Sequence, residues 1–210
     1  MGYYPIYLEL RGRRCLVIGG GTIAERKVHG LLAVEAAVTV ISPQLTALLA
    51  DWSRHGAIQH IARSYQEGDI RGYHLVFVAT DDGTVNATVA REGRRREIWV
   101  NAADDPAYCD FILPAVVQRG ALSVAVATGG TSPALTRAIR EELQEYFTED
   151  YGLLAAVAAE ARLQLRTNKV TVPGVRWVRA LRNEEFRDLV RAGFRDEAID
   201  WLVTQLQERS

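Results

Sequence analysis

Apolar positions along the chain fall into two patterns, short runs of strand length and longer stripes at helical spacing. The first run, Arg14-Cys15-Leu16-Val17-Ile18, ends in Gly19-Gly20-Gly21, after which Ile23, Ala24, Val28 and Leu31 recur as one face of an amphipathic helix. This predicts strand, tight turn and helix. The β-branched run Ala37-Val38-Thr39-Val40-Ile41, stopped by Ser42-Pro43, predicts a second strand of parallel type. A helix is expected over 45–54, a short strand over 57–61 and a polar connection over 64–72. The apolar run His74 to Thr80 predicts a strand that enters Asp81-Asp82-Gly83, where Asp82 or Thr84 can cap a helix reaching Arg96. Ile98 to Asn101 is a fifth strand. Tyr3 to Leu10 alternates weakly and reads as an edge strand or an extended lead into the first core strand.

Up to this point, alternation of strand and helix describes a Rossmann-like parallel sheet. The pattern then changes: Phe111 to Gln118 and Ala121 to Thr128 read as strands with only Arg119-Gly120 between them, a hairpin appended to the parallel sheet. Thr131 or Ser132 can cap the next helix, with Pro133 as its first residue and Phe147 near its end. Residues 151–208 are mostly helical by period, with a break at Thr171-Val172-Pro173-Gly174. The expected fold class is α/β, a Rossmann-like sheet over 1–112, a hairpin and helix over 113–150, and a C-terminal helical domain over 151–210.

Composition adds exclusions. At 210 residues the chain needs no disulfide or metal staple, since a chain of this size buries roughly 70% of the surface its unfolded form exposes. A hydrophobic fraction of 48% with 24% charged residues is that of an ordinary globular protein. The net charge of −1 provides no global field for nucleic acid or a membrane surface. Cys15 and Cys109 have no CxxC spacing and read as free thiols of a reducing compartment. With no signal-peptide pattern at the start and no run of transmembrane length, a cytoplasmic protein is expected. His29, His55, His60 and His74 form no metal-ligating motif.

The opening turn carries the chemistry. Gly19-x-Gly21-x-x-Ala24 has dinucleotide-binding spacing: the first glycine makes the turn, the second lets a pyrophosphate approach the backbone, and the small third residue lets helix pack on strand. Unpartnered N–H groups at the start of that helix, with its dipole, favour an anion. An ordinary glycine-rich turn in an α/β protein is the alternative. Where the second strand ends, the carboxylate that often holds an adenosine ribose is missing; Ser42, Pro43 and Gln44 stand there instead, so ribose contact falls to backbone groups, Ser42 or Gln44. No arginine follows immediately to neutralise a 2′-phosphate, which favours NAD over NADP.

Taken together, Pro5-Ile6-Tyr7-Leu8-Glu9-Leu10, Gly19 to Lys27, Ala79-Thr80-Asp81-Asp82, Val100-Asn101-Ala102-Ala103-Asp104 and Thr128-Gly129-Gly130-Thr131-Ser132-Pro133 resemble the precorrin-2 dehydrogenase family, the dehydrogenase and ferrochelatase module of sirohaem synthase. The resemblance is close over 3–150 and loose over the helical tail. It implies NAD-dependent oxidation of precorrin-2 to sirohydrochlorin, on the route to sirohaem or cobalamin, with Fe²⁺ insertion as a further activity of some relatives. It also implies Asp104 as the acid–base group, with Gly19, Gly21, Thr22 and Ile23 around the pyrophosphate, Pro43 and Gln44 near the adenosine, and Thr80 and Asp81 lining the crevice. Arginines and helix N-termini would meet the substrate carboxylates: Arg26, Lys27, Arg137, Arg140 and residues 128–132 are the candidates. The family pairs as homodimers through the hairpin and helices, and the apolar, lysine-free edge of 121–128 suits such a partner. The competing class is a non-catalytic NAD(H)-responsive binding module, which opens on the same glycine turn.

Overall fold

The computed structural model describes residues 2–102 and 106–208. Two compact units emerge, Met1–Leu113 and Pro114–Ser210.

The first unit is a five-stranded, all-parallel sheet in the order β3-β2-β1-β4-β5, with β1 Arg14–Ile18, β2 Ala37–Ile41, β3 Gln59–Ile61, β4 Leu75–Val78 and β5 Trp99–Ala102. The chain steps outward from β1 to β3, returns to the other side of β1 for β4, and continues to β5. The strand order therefore reverses between β1 and β4, where α/β sheets place their ligand crevice.

Alternation along the strands sends their side chains to two separate cores. Cys15, Val17, Val38, Val40, Leu75 and Phe77 face one way, where they meet Ala24, Val28 and Leu31 of α1 (Thr22–Leu32) and Leu49 of α2 (Ala47–Arg54). Leu16, Ile18, Ile41, Val76, Val78 and Val100 face the other, with Ile70 and Val89 of α3 (Gly83–Arg96). Full burial of a Val or Leu contributes roughly 1.5–3 kcal/mol. Three such contacts hold α1 in place, although Thr22 and Gly30 give it little intrinsic helicity. Burial also pushes the Cys15 thiol up to about 11, so it stays a neutral core residue.

Residues 2–10 form neither helix nor strand, so the edge-strand reading does not hold. The reason lies in the sheet: β1, which this segment precedes, is already hydrogen-bonded on both sides. Leu10 alone packs on the core from this segment.

The long 62–74 connection is tied down by charge. Arg63 forks onto Asp69 at 2.6 and 2.8 Å, and that pairing holds the Asp69 carboxyl below the usual carboxylate range. Glu92 on α3 is only 1% exposed and accepts from the Tyr65 hydroxyl, Gly68 N–H at 3.0 Å and Arg96 Nε at 2.6 Å. Burial raises its pKa, but these donors outweigh burial and the carboxyl ends below its ordinary value.

The second unit begins with a hairpin, β6 Ala115–Arg119 against β7 Leu122–Val126, which forms a two-stranded sheet of its own. Helix α4 (Pro133–Tyr146) packs on both strands, with Ser132 as its N-cap donating partner to Leu135 N–H. Arg119 closes the other end of α4 by donating to the carbonyls of Gln144 at 3.0 Å and Phe147 at 2.7 Å, a cation at the negative pole of the helix. Helices α5 (Asp150–Thr167), α6 (Gly174–Leu181), α7 (Glu184–Arg191) and α8 (Arg195–Gln207) enclose a second core. Leu154, Val157, Ala161 and Leu165 of α5 meet Phe186 and Val190 of α7 and the Ala198, Ile199, Leu202 and Leu206 stripe of α8. No described helix is long and apolar enough to cross a membrane.

Candidate functional site

Gly19-Gly20-Gly21 joins β1 to α1 at the point where the strand order reverses. Each glycine meets a different constraint. Gly19 has φ +116°, and a Cβ there would lie 2.1 Å from the Ala79 carbonyl oxygen at the end of β4. Gly20 would place a Cβ 1.9 Å from the Gln44 carbonyl oxygen and 2.7 Å from Ser42 Oγ. Gly21 has nothing within 4 Å of that position. The motif reading assigns roles to Gly19 and Gly21 and leaves Gly20 as a free position, yet Gly20 is as tightly held as Gly19. The signal for it was present in the unbroken glycine triplet.

The second strand–helix loop braces the first. Thr46 N–H donates to the Gly20 carbonyl at 2.9 Å, and Thr46 Oγ1 donates to Glu25 Oε2 on α1 at 2.6 Å while capping α2. Ser42 Oγ donates to the Gln44 carbonyl at 2.7 Å. Ser42 is buried, so of the ribose contacts expected from the sequence its hydroxyl proton is already engaged. Pro43 and Gln44 are exposed beside it. A ring nitrogen of His60, on β3, sits 2.9 Å from the Ser42 carbonyl. A carbonyl can only accept, which assigns Nε2–H as the donor.

At the start of α1, Gly21 has no side chain to cap the helix, Thr22 is exposed and Ile23 half-buried. The first intrahelical bond is Glu25 N–H to Gly21 O, so the N–H groups of Thr22, Ile23 and Ala24 lie ahead of the ladder at its positive pole. This is the arrangement that suits a pyrophosphate. The open space over Gly21 and the crowding at Gly19 and Gly20 fit that group, because the backbone is forced into the turn at two positions and left approachable at the third.

Across the crevice, Thr80 is half-buried and its Oγ1 accepts from Asp82 N–H at 3.2 Å; Asp81 is exposed. Asp82, rather than Thr84, caps α3 by accepting from Thr84 and Val85 N–H. Lys27 Nζ lies 5.6 Å from the centre of the Phe77 ring, whose edge meets Phe111. Arg26 is exposed. Arg137 and Arg140 pair along their own helix with Glu141 and Gln144. Asp104 lies outside the described residues, as do Ala103 and Asp105. The segment after them returns to β5: Asp110 N–H donates to the Val100 carbonyl at 2.8 Å, and Asp110 Oδ2 accepts from Val100 N–H at 2.9 Å. Among the described residues, no three His, Cys, Asp or Glu side chains gather as a metal site.

A parallel sheet reversing at β1 and β4, with a glycine turn and an uncapped helix start at the reversal, defines a Rossmann-like α/β protein. A family model described as "Putative NAD(P)-binding" matches residues 6–115, and one described as "Sirohaem biosynthesis protein central" matches 119–146. The solved structure of SirC, precorrin-2 dehydrogenase, superimposes with a TM-score of 0.75 at 31% identity, covering 94% of this chain and 99% of that one. The sirohaem synthase of Nitrosococcus oceani is 38% identical over 99% of the chain, and that of Methylobacillus flagellatus 47% identical over 75%. The chain belongs to the precorrin-2 dehydrogenase and sirohaem synthase family. It spans 44% of the length of the first of these synthases and 34% of the second.

Proposed function

We propose that this chain catalyses the NAD-dependent oxidation of precorrin-2 to sirohydrochlorin. The observation that carries the reading is the glycine turn at the sheet's reversal point, open over Gly21 and uncapped at α1, in a chain that matches a precorrin-2 dehydrogenase over nearly its whole length. The N–H groups of Thr22 and Ile23 hold the pyrophosphate beside Gly19 and Gly21, while Pro43 and Gln44 border the adenosine and Thr80 and Asp81 line the crevice towards β4. The end of β2 bears no carboxylate for the ribose and no arginine for a 2′-phosphate, so its backbone and Gln44 make that contact and NAD is preferred.

When bound, NAD accepts a hydride from the reduced macrocycle. The balance requires that a proton also leave the substrate, and Asp104, two residues beyond β5, takes it. A substrate rich in carboxylates, together with partial desolvation, raises the pKa of a nearby carboxyl towards that of an effective base.

The working unit is a homodimer in the cytoplasm. The support is the α4 stripe Leu135, Ile139, Leu143 and Tyr146, of which Leu135 is 51% and Tyr146 66% exposed, beside an exposed Val116 on β6. Two free thiols, Cys15 and Cys109, accord with a reducing compartment. The test is anaerobic incubation with precorrin-2 and NAD, following the absorbance of sirohydrochlorin. Product appears with the parent chain and fails to appear with Asp104→Ala, which still binds NAD; a parental rate for Asp104→Ala would remove that residue from the reaction.

A further inference from the structure

Asn101 occupies the third position of β5, in register with Phe77 of β4, and is 6% exposed. A primary amide so deeply placed costs free energy unless its hydrogen bonds are made. Here Nδ2 donates to the Phe111 carbonyl at 2.8 Å and lies 3.6 Å from Cys109 Sγ. From the other direction Cys109 Sγ–H donates to the Ala102 carbonyl at 3.0 Å. With the two Val100–Asp110 bonds, residues 100–102 and 109–111 are joined at four points. The chain that leaves β5 at Ala102 is thus returned to β5 by Cys109, and Asp104 belongs to the stretch between those anchors. Phe111, whose carbonyl takes the Asn101 amide, also packs its ring on Phe77 beneath Lys27, so the clamp is seated on the sheet core at the crevice side of β4 and β5. An apolar residue at 101 would serve the packing of β5 equally well. The amide is needed only to fix where the returning segment lies.

We infer that Asn101 is a positioning residue for the oxidation, holding the anchors of the loop that carries Asp104, with Cys109 as the second tie. This rests on the assignment of Asp104 as the base. Small displacements of a reacting group cost on the order of 10²-fold in rate, because orientation is lost while binding survives. Asn101→Asp keeps the size of the side chain and turns the donor into an acceptor facing the Phe111 carbonyl. In the full-length chain it is expected to lower kcat by about 10- to 100-fold, with the KM for NAD and the NAD dissociation constant unchanged and the melting transition kept. Cys109→Ala removes the tie from the other side and is expected to lower kcat more than Cys109→Ser, which retains an O–H donor; this pair decides the matter if Asn101→Asp does not fold.

A parental kcat in folded Asn101→Asp, or equal behaviour of Cys109→Ala and Cys109→Ser, would overturn the inference. So would a rise in the KM for NAD that accounts for the loss. Asp104→Ala run alongside separates the two claims. An inactive Asp104→Ala with fully active clamp variants refutes positioning alone, whereas an active Asp104→Ala refutes the base assignment and the inference with it.

Discussion

The parallel sheet of the first unit and the hairpin of the second contrast in how they are covered. Every residue of β4 is buried and so are four of five in β1 and β2, because helices of the same chain lie on those strands. In the hairpin only Val117 is buried, and α4 has no buried residue at all, although its apolar side chains recur on one face. The first arrangement is a finished core. The second is a surface built to be covered, and a second copy is the cover we assign to it. Substitutions in the two regions should therefore register in different measurements, stability for the first and association for the second.

The largest effect is expected from Glu92→Ala. It leaves Tyr65, the Gly68 N–H and Arg96 without their common acceptor, and thermal or urea unfolding should show a loss of about 4 kcal/mol. The same carboxylate predicts a pH dependence. Its folded pKa lies below the unfolded value, so its contribution is complete above about pH 4.3 and disappears as pH falls through the folded pKa. Parental stability should therefore drop on acidification over that window more steeply than that of Glu92→Gln.

Gly20→Ala comes next. The new methyl meets the Gln44 carbonyl and displaces the brace between the first two strand–helix loops, costing about 3 kcal/mol of stability and abolishing NAD binding in a fluorescence titration. Gly21→Ala has open space at the same turn, so unfolding should change by less than about 1 kcal/mol while NAD affinity falls. Equal stability losses at Gly20 and Gly21 would contradict the division of labour within the triplet. The smallest effect on stability, within about 0.5 kcal/mol, is expected for the exposed Leu135→Asp. Its consequence should appear in light scattering, as a monomer at concentrations where the parent chain is a dimer.

The parallel sheet was legible because its signals are local. Five short apolar runs, the glycine triplet and the Asp82 cap each announce themselves within a few residues, and α2 and α3 fall within a residue or two of their expected bounds. What escaped was long-range. Tyr3 to Leu10 has strand-like alternation, but whether a free edge is available depends on β2 and β4, far along the chain. Gly20 reads as a free position in the motif because its constraint comes from Gln44 in the next loop. Ser42 reads as an available hydroxyl because its partner is a backbone carbonyl two residues on. Asn101 shows only as a polar residue ending an apolar run; its role depends on Cys109 and Phe111, which close back on it.

The most direct measurement is the anaerobic reaction itself: precorrin-2 and NAD mixed with the chain, with NADH and sirohydrochlorin followed together. Both should rise at the same rate, one NADH for each sirohydrochlorin, and neither should rise with Asp104→Ala. A chain that binds NAD and leaves precorrin-2 unchanged would contradict the enzyme reading and favour a module that senses the nucleotide.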